Sequence, residues 1–404
     1  MSRFLFVMPP LAGHLNPAVP VARVLTGLGH EVAWTGPESH LRPRVGEAAT
    51  VFPTGLRPYR GQRDRGLRAL RSLWQGFVVP YARAILPAVD RAVRSWHPDV
   101  LVVDQHTLAG ALVAHRHRLP WATLAATLME LTQPYRALPR VDAWIQGHLA
   151  GLWRHADLPG EPEHDLRFSP YLVVAFTTAA LVGPAPLPGT VALVGPAFAE
   201  RPPVPDFPWH RLAPDRRRVL VTTGTLAADL SRNFYPRVAR AFEPLAGTVQ
   251  AVLNTDPATV PGIAPDRSTD AGPAAAPADL GRAGPLFAPR VPMLELMPRL
   301  DALVCHGGLG TVMEALAHGV PLVVAPIRYD QPVIAQQVVA AGAGIRVPFG
   351  RVTARRLGAA VTALLEEPGY RAAAGRIRDS FRRAGGAPAA ARHLVALARS
   401  PNVH

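Results

Sequence analysis

The chain has 404 residues, enough for two or three domains, and 49% apolar against 18% charged residues exclude a disordered polymer. Its one cysteine, Cys305, excludes a disulfide framework and any cysteine-built zinc or iron–sulfur centre. The formal net charge is +14, but all 43 basic residues are Arg; the absence of Lys excludes Schiff-base chemistry and a Walker-type loop, and the scattered arginines argue against a nucleic-acid partner.

In chain order, Met1–Pro10 has too short an apolar run for a signal peptide, which sets the expectation of a cytoplasmic protein. Phe4–Val7 reads as a strand. Asn16 as N-cap and Pro17 at the first helical position then open a helix on which Val19, Val21, Val24, Leu25 and Leu28 recur, ended by Gly29. Val32–Trp34 is the next strand, and His30 before it has a structural role. The fullest arginine group, Arg57, Arg60, Arg63, Arg65, Arg68 and Arg71, reads as a solvated face. Leu73, Trp74, Phe77, Val78 and Tyr81, with Trp144, Leu149 and Trp153, suit either an apolar acceptor pocket or a core. A strand Val100–Val103 precedes Asp104, then a helix spans Thr107–His117 and a strand Trp121–Leu124. His115-Arg116-His117 complements the dipole at a helix end, and Glu161–Asp165 reads as a solvated loop. Phe168–Ala199 carries no charge, but Pro184, Pro186, Pro188 and Gly189 break it into two strands too short to cross a bilayer.

Glu200–Arg216, with its prolines and mixed charge, reads as a linker. Alternation then restarts with a strand Val219–Thr222, a helix Phe234–Phe242 and a strand Val249–Leu253. A long Pro/Ala/Asp-rich connection spans 255–284. It leads to a strand Ala302–Cys305, a helix Thr311–Ala317, a strand Leu322–Ala325 and a helix Gln331–Ala341. Two closing helices lie near Ala354–Glu367 and Pro388–Arg399. This pattern predicts an α/β chain of two doubly wound, Rossmann-like domains with mostly parallel sheets. They are residues 1–205 and 206–385, with a C-terminal helix in 386–404 packing back on the first. Ligands of such sheets bind beyond the strands' carboxyl ends, which puts the expected site in a cleft between the two domains.

Two segments carry chemistry. His306-Gly307-Gly308-Leu309-Gly310-Thr311-Val312-Met313-Glu314 joins a strand to a helix. Glycines admit close backbone approach, and the helix start offers N–H groups to phosphate oxygens, with Thr311 and His306 adding donors. Glu314, three residues after Thr311, lies near the same helix mouth. Taken alone, such a turn also reads as tight packing around a capped helix. At the other end, His14 lies on a loop after the first strand, where an imidazole titrating near neutrality suits a general base. Asp104, ending a strand of the same sheet, is placed to fix its tautomer.

Phe287-Ala288-Pro289-Arg290 precede the glycine loop, and Gly319-Val320-Pro321 and Pro326-Ile327-Arg328-Tyr329-Asp330-Gln331 follow it. From Phe287 to about Gly344 this ordered set resembles the donor-binding signature of the UDP-glycosyltransferase family, in its bacterial macrolide and natural-product branch. The resemblance implies the GT-B arrangement of two Rossmann-like domains. It implies that His306 and Thr311 hold the diphosphate in the loop containing Gly308 and Gly310. Glu314 would hold the ribose, and Asp330 and Gln331 the sugar hydroxyls. Phe287 would stack on the base, where the family usually has Trp, and Ala288 and Arg290 belong to the same stretch. Arg290 stands where Gln is usual, which leaves UDP or dTDP open. Gly13-His14-Leu15-Asn16-Pro17 resembles the family's N-terminal loop, with His14 as base and Asp104 as its partner. Val221-Thr222-Thr223-Gly224-Thr225 resembles its Ser/Thr-Gly-Ser/Thr turn, with Thr225 facing the donor phosphates.

The expected activity is inverting, metal-independent transfer of a hexose from a UDP- or dTDP-sugar to a hydroxyl of a small hydrophobic natural product. The expected partners are a nucleotide sugar and that acceptor, without nucleic acid or stable membrane insertion; a homodimer stays open. No Asp-x-Asp motif clamps a metal, and no cofactor is expected. An epimerase or hydrolase of the same architecture, a lipid or carotenoid acceptor, and a non-catalytic binding protein are the alternatives. A dehydrogenase would need Gly-x-Gly-x-x-Gly where the chain has Pro9-Pro10-Leu11-Ala12-Gly13-His14.

Overall fold

The computed structural model describes residues 1–55, 64, 66–184, 187, 190–224, 234–256 and 285–400. Short apolar runs assemble into two sheets in which every pair is parallel. The first comprises β1 (Arg3–Val7), β2 (Glu31–Gly36), β3 (Thr50–Pro53), β4 (Val100–Asp104), β5 (Trp121–Ala125), β6 (Leu172–Ala175) and β7 (Val191–Leu193). Its order is β3-β2-β1-β4-β5-β6-β7. The second comprises β8 (Arg217–Thr222), β9 (Val249–Leu253), β10 (Leu286–Phe287), β11 (Ala302–Cys305), β12 (Leu322–Val324) and β13 (Gly344–Arg346). Its order is β10-β9-β8-β11-β12-β13.

In each sheet the chain moves outward from a central strand and then returns to that strand's other side. The direction of winding therefore reverses between β1 and β4, and between β8 and β11. Crevices at such switch points, beyond the strands' carboxyl ends, are where open α/β sheets bind ligands. The register aligns these ends: Val7 lies opposite Val103, and Thr222 opposite Cys305.

Burial on both faces explains why the strands are apolar throughout. Leu5, Val7, Leu101 and Val103 face a core completed by the helix Val79–Trp96 and the helix Ala109–His117. Phe4, Phe6, Val100 and Val102 face the opposite core, built with the helices Ala12–Gly27 and Gly386–Ala398. Val219, Val221, Ala302 and Val304 do the same for the second sheet, against the helices Tyr235–Phe242 and Ala354–Glu366. The residues compatible with an acceptor pocket are core: Leu73, Trp74, Phe77, Val78, Tyr81, Leu149 and Trp153 are buried, and Trp144 packs on them.

The chain divides into two compact units. One holds Met1–Glu200, Arg328–Val333 and the chain from Ser380 onward; the other holds Arg201–Ile327 and Ile334–Asp379. The stretch expected to be a linker is partly docked in the second unit. Phe207 and Ala213 are buried, and Gln250 accepts from the Ala213 N–H (2.8 Å) and donates to the Arg211 carbonyl (2.9 Å).

Several helices depart from the sequence reading. The first begins at Ala12, not Asn16, because His14 N–H (3.0 Å) and Leu15 N–H (3.1 Å) already donate to the Leu11 carbonyl. Helical turns run through Gly66–Leu73, a π-type turn Trp74–Val78 and Val79–Trp96, although Pro87 lies inside. A helix Pro368–Ala384, absent from that reading, precedes the last one.

Candidate active site

The residues expected on the acceptor side lie at the switch between β1 and β4. Asp104 ends β4 with no exposure, and its Oδ2 lies 2.8 Å from His14 Nδ1. His14 stands in the first turn of its helix, not on the expected loop. Oδ1 of Asp104 accepts the His106 N–H at 2.9 Å, and the Thr107 hydroxyl lies 2.8 Å from both the Val7 and Asp104 carbonyls. The carboxylate is thus fixed from two sides. An ionised carboxylate only accepts, so Nδ1 carries the imidazole proton and Nε2 keeps its lone pair.

Electrostatics favour a charged His14. Burial pulls its pKa down, but the Asp104 charge and hydrogen bond, with a contribution from Asp330, outweigh it and raise the value above 6.5. The neighbouring His106 behaves oppositely. Burial, reinforced by charge on His14, pushes it down to about 3, and neither ring nitrogen has a hydrogen-bond partner among the described residues. The two rings lie 4.8 Å apart. Ligand atoms of His14, Asp104 and His106 lie within 4.8 Å of one another, so the cluster is also spaced for a cation, but the short Nδ1–Oδ2 contact commits His14 and Asp104 to each other. Sequence reasoning missed His106, although its place two residues after Asp104 was the available signal.

Asp330 and Gln331 belong to the same unit as His14. Burial pushes the Asp330 carboxyl up to about 6, against the opposing charge of His14. Gln331 Oε1 accepts the Arg328 N–H at 2.9 Å. Asp330 also feels Glu130, which is buried in a pair with Arg167. Glu161 and Glu163 are exposed, as the solvated reading of the 161–165 loop expects, but Asp165 departs from it: the buried Arg167 guanidinium recruits that carboxylate at 2.6 Å. His164, in the same loop, meets His115 with 3.1 Å between Nε2 atoms. His117 Nε2 lies 2.7 Å from Asp90 Oδ1, a closer partner than the helix dipole.

The residues expected on the donor side lie around the switch between β8 and β11. The helix Leu309–Ala317 starts from Gly308, which has no side chain to cap its open N–H groups. The His306 ring lies against two glycines, and a Cβ at Gly224 would fall 2.5 Å from its Cε1. Gly224 has φ +69°, which glycine adopts without strain. The turn after β8 and the loop after β11 therefore meet at His306. Thr225 lies outside the described residues, as do residues 257–284 and four arginines of the group at 57–71.

Phe287 is half-buried at the end of β10, and Ala288 is buried. Asn254 organises this stretch, a role sequence reasoning missed. Its Oδ1 accepts from the Thr222 hydroxyl at 2.9 Å, and its Nδ2 donates to the Ala288 and Pro289 carbonyls at 3.1 and 3.2 Å. Arg290 is exposed and lies 3.5 Å from Asp206. Gly310 and Thr311 open the helix, and Glu314 is buried on it, ion-paired with Arg201. Cys305 is buried beside this loop, which pushes its thiol up to about 12 and makes it a poor nucleophile.

Residues 284–397 match the C-terminal domain of the erythromycin biosynthesis protein CIII-like family. Over 438 residues the chain is 30% identical to the 4'-demethylrebeccamycin synthase of Lentzea aerocolonigenes, covering 94% of this chain and 96% of the relative. It belongs to the natural-product glycosyltransferases. The demethyllactenocin mycarosyltransferase of Streptomyces fradiae is 28% identical over 431 residues, covering 99% of this glycosyltransferase and 87% of the relative. The crystal structure of the glycotransferase of kitacinnamycin superposes with a TM-score of 0.76 over 98% of both chains, at 23% identity, a likeness of fold. The glycosyltransferase thus has the two parallel-sheet α/β units of the GT-B class. No described helix is long and apolar enough to cross a membrane.

Proposed function

We propose that this glycosyltransferase moves a hexose from a UDP- or dTDP-sugar to a hydroxyl of a small hydrophobic natural product, in the cytoplasm, by one displacement and without a metal. The observation that carries the reading is the 2.8 Å contact between His14 Nδ1 and Asp104 Oδ2 at a switch point. It leaves Nε2 as the base. The acceptor hydroxyl gives its proton to Nε2 as its oxygen attacks the anomeric carbon, and the bond to the diphosphate oxygen breaks on the opposite side. Asp104 stabilises the imidazolium that forms.

The departing diphosphate carries the negative charge. The open N–H groups at Leu309, Gly310 and Thr311, the helix dipole and His306 are the groups to stabilise it. Phe287 would stack on the base and Glu314 would hold the ribose. Asp330 and Gln331 would bind sugar hydroxyls, with Thr225 on the phosphates. One displacement inverts the anomeric centre, so an α-linked donor gives a β-glycoside. Proton NMR of the product, made by enzyme pretreated with chelator, tests this. A β-anomer at unchanged rate supports the reading; an α-anomer, or activity abolished by chelation and restored by metal, overturns it.

A further inference from the structure

Two imidazoles meet away from the proposed chemistry. His115, in the last turn of the helix Ala109–His117, and His164, in the loop that leads to β6, bring their Nε2 atoms to 3.1 Å. Both lie in the first unit. His115 packs against Trp121 at the start of β5, which lies opposite Leu101, whereas Asp104 lies opposite Leu124. The pair is therefore about 10 Å along the strands from Asp104, toward their amino ends.

Both rings are held in place. Trp153 meets the His115 ring with centroids 5.0 Å apart, and its own Nε1 donates to the Pro159 carbonyl at 3.0 Å. His164 precedes Asp165, which Arg167 grips through its backbone N–H at 3.0 Å and its guanidinium at 2.6 Å. The Glu163 carboxylate is exposed and its charge reaches both imidazoles, which favours a cation beside them. A straight N–H···N hydrogen bond at this spacing would put the ring centroids about 5.4 Å apart. They lie 4.9 Å apart with the planes inclined at 39°, so the two nitrogens do not point straight at each other. Two imidazoles on one zinc ion, at about 2.0–2.1 Å and an N–Zn–N angle near 100°, have nitrogens about 3.1 Å and centroids about 4.9 Å apart.

The geometry points to a divalent-cation site, in which His115 and His164 supply two imidazole ligands to an ion of the zinc type, with Glu163 and water at hand for the rest of its shell. Each ring binds through Nε2 as a neutral imidazole with its proton on Nδ1. Imidazole suits zinc, nickel or copper ions and not magnesium or calcium. A bound ion ties the end of the helix Ala109–His117 to the 161–165 loop, and so stabilises the first unit without touching the reacting atoms.

The test is zinc titration of the tag-free, chelator-stripped chain, read by calorimetry and by tryptophan fluorescence during denaturation. Two imidazoles are half the ligand set of a structural zinc site, so a dissociation constant of about 1–100 μM is expected. At ten times that concentration the folded state gains about tenfold over the unfolded, and the midpoint rises. His164→Gln and His115→Gln should each weaken binding roughly tenfold or more and erase the rise. His106→Gln, which alters the cluster at Asp104, should do neither. His164 stands in a loop, so its variant carries the test should His115→Gln not fold. No binding up to about 1 mM zinc, binding unchanged in His164→Gln, or binding lost in His106→Gln overturns the inference.

Discussion

At the scale of the residue, the proposed chemistry depends on how Asp104 alters His14. In the proposed mechanism deprotonated His14 is the base. Its pKa is raised above 6.5, so kcat/KM should fall on the acid side with a midpoint above 6.5. Asp104→Asn removes both upward influences of that carboxylate and leaves burial to pull the pKa down. The midpoint should move to lower pH, and kcat should drop by about 10²- to 10⁴-fold because the tautomer and the imidazolium lose their support. An unmoved midpoint, measured over pH 5–9, would dissociate the two residues. His14, Asp104 and the glycine loop were legible in the sequence because they stand in short ordered motifs. Asn254 and Arg201 were not: what distinguishes each is a partner brought close only by folding, such as Glu314, 113 residues from Arg201.

At the scale of the element, the glycine at position 224 couples two loops that are far apart in sequence. Gly224→Ala would impose a Cβ on a positive-φ position and against the His306 ring. The variant should lose about 1–3 kcal/mol of stability and bind nucleoside diphosphate more weakly, since the ring must shift away from the helix mouth. Denaturation and calorimetric titration check both effects; wild-type values in both would show that the contact does not matter. The central strands were readable because burial on both faces demands unbroken apolar runs, as in Val100–Val103, whereas the short, partly exposed edge strands β3, β10 and β13 went unread. The helices were harder. Pro87 looks like a breaker, but only one internal hydrogen bond is lost within a well-buried helix. Pro368–Ala384 was hidden by its arginines, although proline suits a first helical position.

At the scale of the whole molecule, the last helix returns to the first core. Leu394 and Leu397, with Ala389–Ala391, pack with Leu15, Val19 and Leu25. Leu394→Ala should therefore destabilise the N-terminal unit by about 2–5 kcal/mol. Tryptophan fluorescence follows that unit selectively, because every tryptophan but Trp209 lies in it. An unchanged midpoint would place the helix outside the cooperative core. The proposed mechanism puts proton removal in the first unit and diphosphate binding in the second. The most direct test is turnover and donor titration of His14→Ala side by side. The account predicts a loss of about 10²- to 10⁴-fold in kcat with nucleoside diphosphate affinity retained. Turnover within a few-fold of wild type, or loss of donor binding in proportion to activity, would contradict it.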